Sequence, residues 1–296
     1  MTRCVIYLQI LLACAYTVHA GSTEKSAGRN CLYAVKGLKN TVYLQGSIHF
    51  LKEENYPLNT RIEETFDSCE TIVFEVDIGE MNSLAAQTLM MSKGMLSGGK
   101  TLQDVLSTNT YTLVQTKLDE LGMGAGMAVF QSFKPWLLNL TLLTLELQSL
   151  GYSAEHGLDL YFYNKATEKR KTTVGLETIE FQLGLLDQFS GEEQDAQLAA
   201  GLKELDEIEK DIPELVEGWE NGDSKKIEKI LNEGLKEFPE VYKSVLTDRN
   251  LNWMPKIEKY LQSEHNVMVV VGAGHLVGKD GLLELLRKEG YAIEQK

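Results

Sequence analysis

The sequence predicts an α/β fold: a central, mostly parallel sheet formed by the N- and C-terminal parts of the chain, with a large helical insertion between them over about residues 83–263. Three observations carry this expectation. Residues 266–276, NVMVVVGAGHL, run five apolar residues into glycines and a histidine, the pattern of a fully buried parallel strand whose glycines turn the backbone sharply and leave His275 exposed at the strand end. Gly46-Ser47-Ile48-His49 closes another apolar stretch, residues 41–44, so a second strand from the opposite end of the chain finishes in the same Gly-x-x-His device. Between these ends the apolar residues recur mostly at helical spacing.

The chain has 296 residues and 43% apolar content, enough for a full core in one large domain or two small ones. Residues 1–20 carry Arg3, an apolar run over 5–16 and then Val18-His19-Ala20, which reads as a secretory signal peptide cleaved after Ala20. The competing reading, a retained membrane anchor, is disfavoured because the run is shorter than the roughly 20 residues a spanning helix needs. The mature protein, residues 21–296, is therefore expected to be exported, to the periplasm or the extracellular space, with no stable membrane span. Cys4 and Cys14 leave with the signal, and Cys31 and Cys69 can form a single disulfide in an oxidising compartment, provided their Cα atoms lie close enough. Two cysteines give neither a Cys-based zinc site nor a disulfide scaffold. The net charge of −14 disfavours nucleic acid and anionic membrane surfaces as partners.

Taken in order, residues 32–35 and 41–44 predict a β-hairpin that delivers Gly46 to His49. Residues 57–69 place Ile62, Phe66 and Cys69 on one side and Arg61, Glu63, Glu64 and Asp67 on the other, an amphipathic helix begun by Pro57. The strand Thr71-Ile72-Val73-Phe74-Glu75-Val76-Asp77 follows, with Glu75 and Asp77 on one face by the two-residue period. Strand, His49 loop, helix and Glu75 strand make a βαβ unit, and in open α/β sheets ligands bind outside the C-terminal strand ends. Further on, Thr101 and Asp104 form a capping box. Residues 136–150, leucine-rich but interrupted by Glu146 and Gln148, read as a buried core helix rather than a membrane span. Residues 172–177 predict a short strand ending in Gly175-Leu176-Glu177. Residues 192–236 form a charged helical stretch broken by Pro213. A helix through Ser263, the strand before His275, a helix over 281–289 and Tyr291-Ala292-Ile293 complete a second βαβ-like unit.

His49, Glu75 and His275 together have the residue types of a three-ligand metal site, two imidazoles and a carboxylate with room for water. Such an ion lowers the pKa of bound water and polarises a carbonyl, the chemistry of hydrolysis. The alternative is that both histidines simply pack in the core or a loop. A dinucleotide-loop reading of Gly272-Ala273-Gly274 with Gly278 fits poorly, because the third glycine is displaced, His275 fills the loop and the chain ends just after Glu294. A Gly-x-Ser-x-Gly elbow, a Cys-His pair and a His-Glu-x-x-His helix are all missing from the sequence.

The ordered set of Gly46-Ser47-Ile48-His49, Phe74-Glu75-Val76-Asp77, Gly175-Leu176-Glu177-Thr178, Asp248-Arg249-Asn250 and Val271-Gly272-Ala273-Gly274-His275-Leu276 resembles the TraB/PrgY/GumN family, most of all its exported bacterial GumN-type members. The match covers nearly the whole mature chain. That family includes the animal Tiki proteins, metal-dependent proteases acting on Wnt, and it is similar to the erythromycin-esterase and ChaN proteins. The resemblance implies a shared α/β core and a site of His49, His275 and Glu75, with manganese or cobalt as the metal and zinc as a further candidate. Arg249 matches another family motif and is expected to steady a developing oxyanion. Glu177 is either an acid that orients a neighbouring site residue or a helix cap. The implied function is a metal-dependent hydrolase, a Tiki-like peptidase with a peptide or protein substrate. The alternative is a non-catalytic exported protein that binds a peptide signal or haem, as ChaN-like relatives bind haem. His156 and His265 lie outside the motifs and read as surface residues.

Overall fold

A computed structural model describes residues 30–81, 83–232 and 234–296; the expected signal peptide lies outside the described residues. The sheet has six strands in the order β4-β3-β5-β2-β1-β6: β1 Leu32–Lys36, β2 Thr41–Ser47, β3 Thr71–Val76, β4 Thr172–Glu177, β5 Val267–Gly272 and β6 Ile293–Gln295. The pairs β2·β5, β3·β5 and β3·β4 are parallel, and β1 is antiparallel to both β2 and β6. The fold is thus α/β with a mostly parallel sheet. β4 joins that sheet from within the otherwise helical stretch 83–263.

The strand of valines sits where its composition demands. All six residues of β5 are buried, with β2 on one edge and β3 on the other, so a continuous apolar run satisfies both faces. Register then sets the site: Ser47 pairs with Gly272, Phe74 with Val270, and Val76 with Glu177. The C-terminal ends of four parallel strands therefore finish at one level, carrying the segments that lead to His49, Glu75, Glu177 and His275.

The principal helices are α1 Thr60–Ser68, α2 Leu84–Gly94, α3 Thr108–Glu120, α4 Pro135–Ser149, α5 Leu158–Glu168, α6 Ile179–Asp187, α7 Gly191–Glu220, α8 Ser224–Leu231, α9 Asp248–Leu261 and α10 Leu282–Lys288. α4 is buried on nearly every side, as its leucines require, and among the described residues no helix is long and apolar enough to cross a membrane. The Thr101–Asp104 capping box is present.

Several expectations are corrected. α1 begins after Asn59, whose side chain accepts from the Arg61 amide, rather than at Pro57. α7 is not broken at Pro213 but runs through it. An interior proline costs about 3 kcal/mol, whereas Ile208, Ile212, Leu215 and Val216 around it are buried and contribute roughly 1.5–3 kcal/mol each; packing wins. β6 does not complete a second βαβ unit, because it crosses to the far edge and pairs antiparallel with β1. Cys31 and Cys69 are both buried free thiols, not a disulfide. Burial is the main cause that pushes each thiol up to about 12.

Candidate functional site

Gly46 has a local reason for being glycine. A Cβ there would lie 2.3 Å from Cys31 Sγ, so only hydrogen fits where β2 passes the start of β1. The Gly46 carbonyl accepts from Trp219 Nε1 at 2.7 Å, which ties the far end of α7 to this turn. The chain then leaves β2 and presents His49. Its Nδ1 lies 2.6 Å from Asp159 Oδ2 in the first turn of α5. Ser47 Oγ also donates to that carboxylate oxygen, and the Leu158 amide donates to the Ile48 carbonyl at 3.0 Å. Burial would depress His49, but the Asp159 carboxylate, with Glu75 beyond it, outweighs that and raises its pKa. His49 Nε2 is buried and has no hydrogen-bond partner among the described residues.

Glu75, in β3, is 5% exposed. Its Oε1 accepts from the Gly272 amide at 2.8 Å and its Oε2 from Arg249 Nη2 at 2.5 Å. Burial alone would raise this carboxyl, yet the guanidinium, helped by the two histidines, holds it down at about 2. Glu75 is therefore ionised at neutral pH. Asp77, expected on the same face, instead turns back to accept from the Gly79 amide and starts the next helical turn.

His275 is buried, 5% exposed, and not exposed as the sequence suggested. β5 runs straight into the helical turn Ala273–Leu276, which folds the imidazole beneath Trp253, ring centroids 4.5 Å apart. The tautomer follows from its neighbours. Asn250 Nδ2 donates to the His275 and Asp280 carbonyls, so Asn250 Oδ1 is left to accept from His275 Nδ1 at 2.7 Å. His275 Nε2 then accepts from Arg249 Nη1 at 3.0 Å, since a guanidinium only donates. Burial and Arg249 push this imidazole down to about 3, so it is neutral at pH 7.

Arg249, fully buried, organises the cluster. Its five N–H donors are all engaged: Nε with Glu177, Nη1 with the Val245 carbonyl and His275, Nη2 with Glu75 and Glu177. Glu177 is a partner of that arginine and also accepts from Trp253 Nε1 at 3.0 Å; the cap of α6 is Thr178. Gln182 Nε2 bridges Glu177 at 2.9 Å and Glu75 at 3.3 Å.

The five sequence-predicted residues His49, Glu75, Glu177, Arg249 and His275 thus converge, and His265 stays on the surface paired with Glu70. His156 is half-buried, with its carbonyl accepting from Tyr56. Sequence reasoning missed Asp159, Gln182, Asn250 and Trp253. Two of these had a signal: Asp159 stands in His156-Gly157-Leu158-Asp159 and Asn250 directly follows Arg249.

A Cβ on Gly272 would lie 3.3 Å from Glu75 Oε1, 3.6 Å from His49 Nε2 and 3.7 Å from His275 Cδ2. The missing side chain leaves a niche onto which an anionic oxygen and an unpartnered imidazole nitrogen converge. That donor pair fits a divalent cation. His275 Nε2 fits as a third ligand once Arg249 Nη1 gives up its hydrogen bond, and among the described residues no three His, Cys, Asp or Glu side chains already form a metal-binding group. Two clefts meet at His49, and their volumes count empty space out to their open mouths. One, about 430 Å³, is lined by Glu75, Met81, Gly157, Asp159 and Gln182 among others. The other, about 550 Å³, has mostly apolar walls and includes Gly272 and His275.

The chain has recognisable relatives. The chain is 24% identical over 252 residues to the uncharacterized protein YbaP of Escherichia coli strain K12, covering 83% of this chain and 87% of that protein. It is 20% identical over 305 residues to an uncharacterized protein of Treponema pallidum strain Nichols, covering 96% and 89%. It is 22% identical over 288 residues to the human Metalloprotease TIKI1, covering 78% of this chain and 55% of that protein. No solved structure matches the chain. The TraB/PrgY/gumN family model matches residues 31–295, nearly all of the described chain, and the protein belongs to the TraB/PrgY/gumN family.

Proposed function

We propose that this protein is an exported metal-dependent hydrolase, a peptidase, whose centre lies in the Gly272 niche. The observation that carries the reading is the buried, unpartnered His49 Nε2 beside the ionised Glu75, a pair that a structural role alone leaves unexplained because buried polar atoms ordinarily find partners. The likeness to a metalloprotease points the same way. His49 and Glu75 would hold the ion, with His275 as the third ligand; manganese, cobalt and zinc are the candidates. A divalent cation there would act as a Lewis acid and lower the pKa of a bound water toward neutrality.

The rest is supplied by the chain's own side chains. Asp159 accepts from His49 Nδ1, so in the neutral imidazole the lone pair on Nε2 would face the niche. The proton that the raised pKa favours would be displaced as a cation binds there. Arg249 takes up Glu75 Oε2 and leaves Oε1 toward the niche, and Gln182 steadies the same carboxylate. Asn250 fixes the tautomer of His275 so that its Nε2, too, carries a lone pair. Arg249 acts here as a positioning cation for both Glu75 and His275; it would reach an oxyanion only by releasing one of its present acceptors.

Digestion of an unbiased peptide library by the purified protein, with manganese, cobalt or zinc added, tests this. Cation-dependent cleavage that chelator abolishes and His49→Ala lacks supports it. Cleavage that persists through both treatments, or none with any ion, sinks it. Arg249 occupying His275 Nε2 favours one second reading, a non-catalytic protein that binds a peptide or haem in the same cleft. A binder would retain its peptide after chelation, and haem would give a visible absorption band.

A further inference from the structure

We propose that the apolar cavity beside His49 is a specificity pocket for a leucine-sized apolar side chain adjoining the scissile bond. This deepens the peptidase reading above and rests on it for the bond that is cut.

The pocket is built from four elements. Leu215 comes from α7, Leu231 from the end of α8, Leu235 from the turn after it, and Val245 and Leu246 from the π-helical turn Lys243–Thr247. The last is a rare backbone form that recurs at functional sites. Leu215, Leu235, Val245 and Leu246 are each at most 5% exposed, yet they border a cleft whose interior leaves about 60 Å³ free, more than the water-sized voids a packed interior tolerates. A core would have closed such a space, because interiors pack to crystal-like density.

The chemistry of the walls selects the occupant. Leu215, Leu231, Leu235, Val245 and Leu246 give the pocket aliphatic walls, and His49, Gly272 and His275 are shared with the niche. Asn232 also lines the pocket, but its Nδ2 is committed to the Gly274 and Val277 carbonyls. A side chain entering from the niche thus meets apolar surface beyond the histidines, while the backbone that bears it stays beside Glu75 and His49. A charged or amide side chain would give up most of its water against these aliphatic walls, with Asn232 Oδ1 a side-chain acceptor beside them. A leucine, methionine or phenylalanine side chain would incur no such loss.

The pocket wall also reaches Arg249 through one bond. Val245, in the pocket wall, offers its carbonyl to Arg249 Nη1 at 3.2 Å, and the same nitrogen donates to His275. Filling the pocket therefore acts on the arginine that positions both Glu75 and His275.

The test uses methyl-labelled full-length protein titrated with N-acetyl-leucine methylamide and, separately, N-acetyl-glutamine methylamide. The pocket predicts that the methyl resonances of Leu235, Val245 and Leu246 shift with the leucine compound, at concentrations where the glutamine compound moves them less than a tenth as much. Equal shifts with the two compounds, or none with either, overturn it. Leu235→Trp, or Leu246→Phe if the first does not fold, fills the space and should remove the response. In the library digest the wild type should prefer leucine, methionine or phenylalanine over alanine at one position by roughly tenfold or more, and the filled variant should lose that preference. Unchanged preference in the filled variant also overturns the pocket. Leucine binding without cleavage would refute the peptidase reading alone, and cleavage without apolar preference or binding would refute the pocket alone.

Discussion

Replacing Arg249 by methionine removes the cation on which two buried carboxylates and one imidazole depend. In the wild type Glu75 is held at about 2, against 4.5 for the free residue, and Glu177 takes two bonds from the same guanidinium. Removing one partner of a buried pair costs about 3–5 kcal/mol, a large share of the roughly 5–15 kcal/mol that holds a domain together. At pH 7 the melting temperature should fall by roughly 6–20 °C. The pH dependence has a definite sign. The depressed pKa of Glu75 contributes stability above pH 4.5 that is lost as pH falls toward 2. His275, depressed from 6.5 to about 3, contributes stability above pH 6.5 that is lost as pH falls through that window. Without Arg249 both shifts shrink or reverse, so the variant should lose less stability on acidification than the wild type. Urea denaturation at pH 7 and at pH 4.5 measures this: the deficit should be large at the first and clearly smaller at the second, and a second substitution, Glu75→Gln, should return part of it. A deficit below about 1 kcal/mol, the ordinary worth of an exposed ion pair, or one that is the same at both pH values, would refute the reasoning.

Two further outcomes are expected. Gly272→Ala places a Cβ 3.3 Å from Glu75 Oε1 and 3.6 Å from His49 Nε2 in a backbone conformation alanine tolerates (φ −48°, ψ 135°); thermal melts should move by no more than about 1–2 kcal/mol equivalent, while cation-dependent turnover is lost because the niche is filled, and retained turnover would show that chemistry lies elsewhere. Asp159→Asn removes the carboxylate that orients His49 and should lower metal affinity or turnover by roughly 10–100-fold; isothermal titration with manganese showing unchanged affinity would remove Asp159 from the site.

How much of this was readable in the chain depends on whether the signal was local. The valine run of β5 and the Gly-x-x-His ends of β2 and β5 are local patterns. A strand buried on both faces must be apolar throughout, and Gly46 is fixed by one contact with Cys31. The α/β class and the grouping of His49, Glu75 and His275 follow from them; the buried α4 was legible in its own leucines, Glu177 in the end of its short strand, and Arg249 only through the family resemblance. What was not readable depends on tertiary placement. Asp159 looks like any first-turn acid until α5 brings it against His49. His275 looks exposed at a strand end until Trp253 and the Ala273–Leu276 turn cover it. Pro213 reads as a helix end until the burial of its neighbours outweighs its cost, and β6 reads as the partner of its sequence neighbour until it pairs across the sheet with β1. Whether Cys31 and Cys69 pair was left open for a related reason: it depends on how close the fold brings them, and the fold buries them as separate thiols.

The proposed centre is a divalent cation held in the Gly272 niche by His49 and Glu75, with His275 recruited as Arg249 yields. Metal content after equilibration with manganese or cobalt and exhaustive dialysis, compared between the wild type and His49→Ala/His275→Ala, tests it most directly. Stoichiometric metal is expected in the wild type and a loss to background in the variant, with the fold retained by circular dichroism. Equal metal content in the two proteins would contradict it.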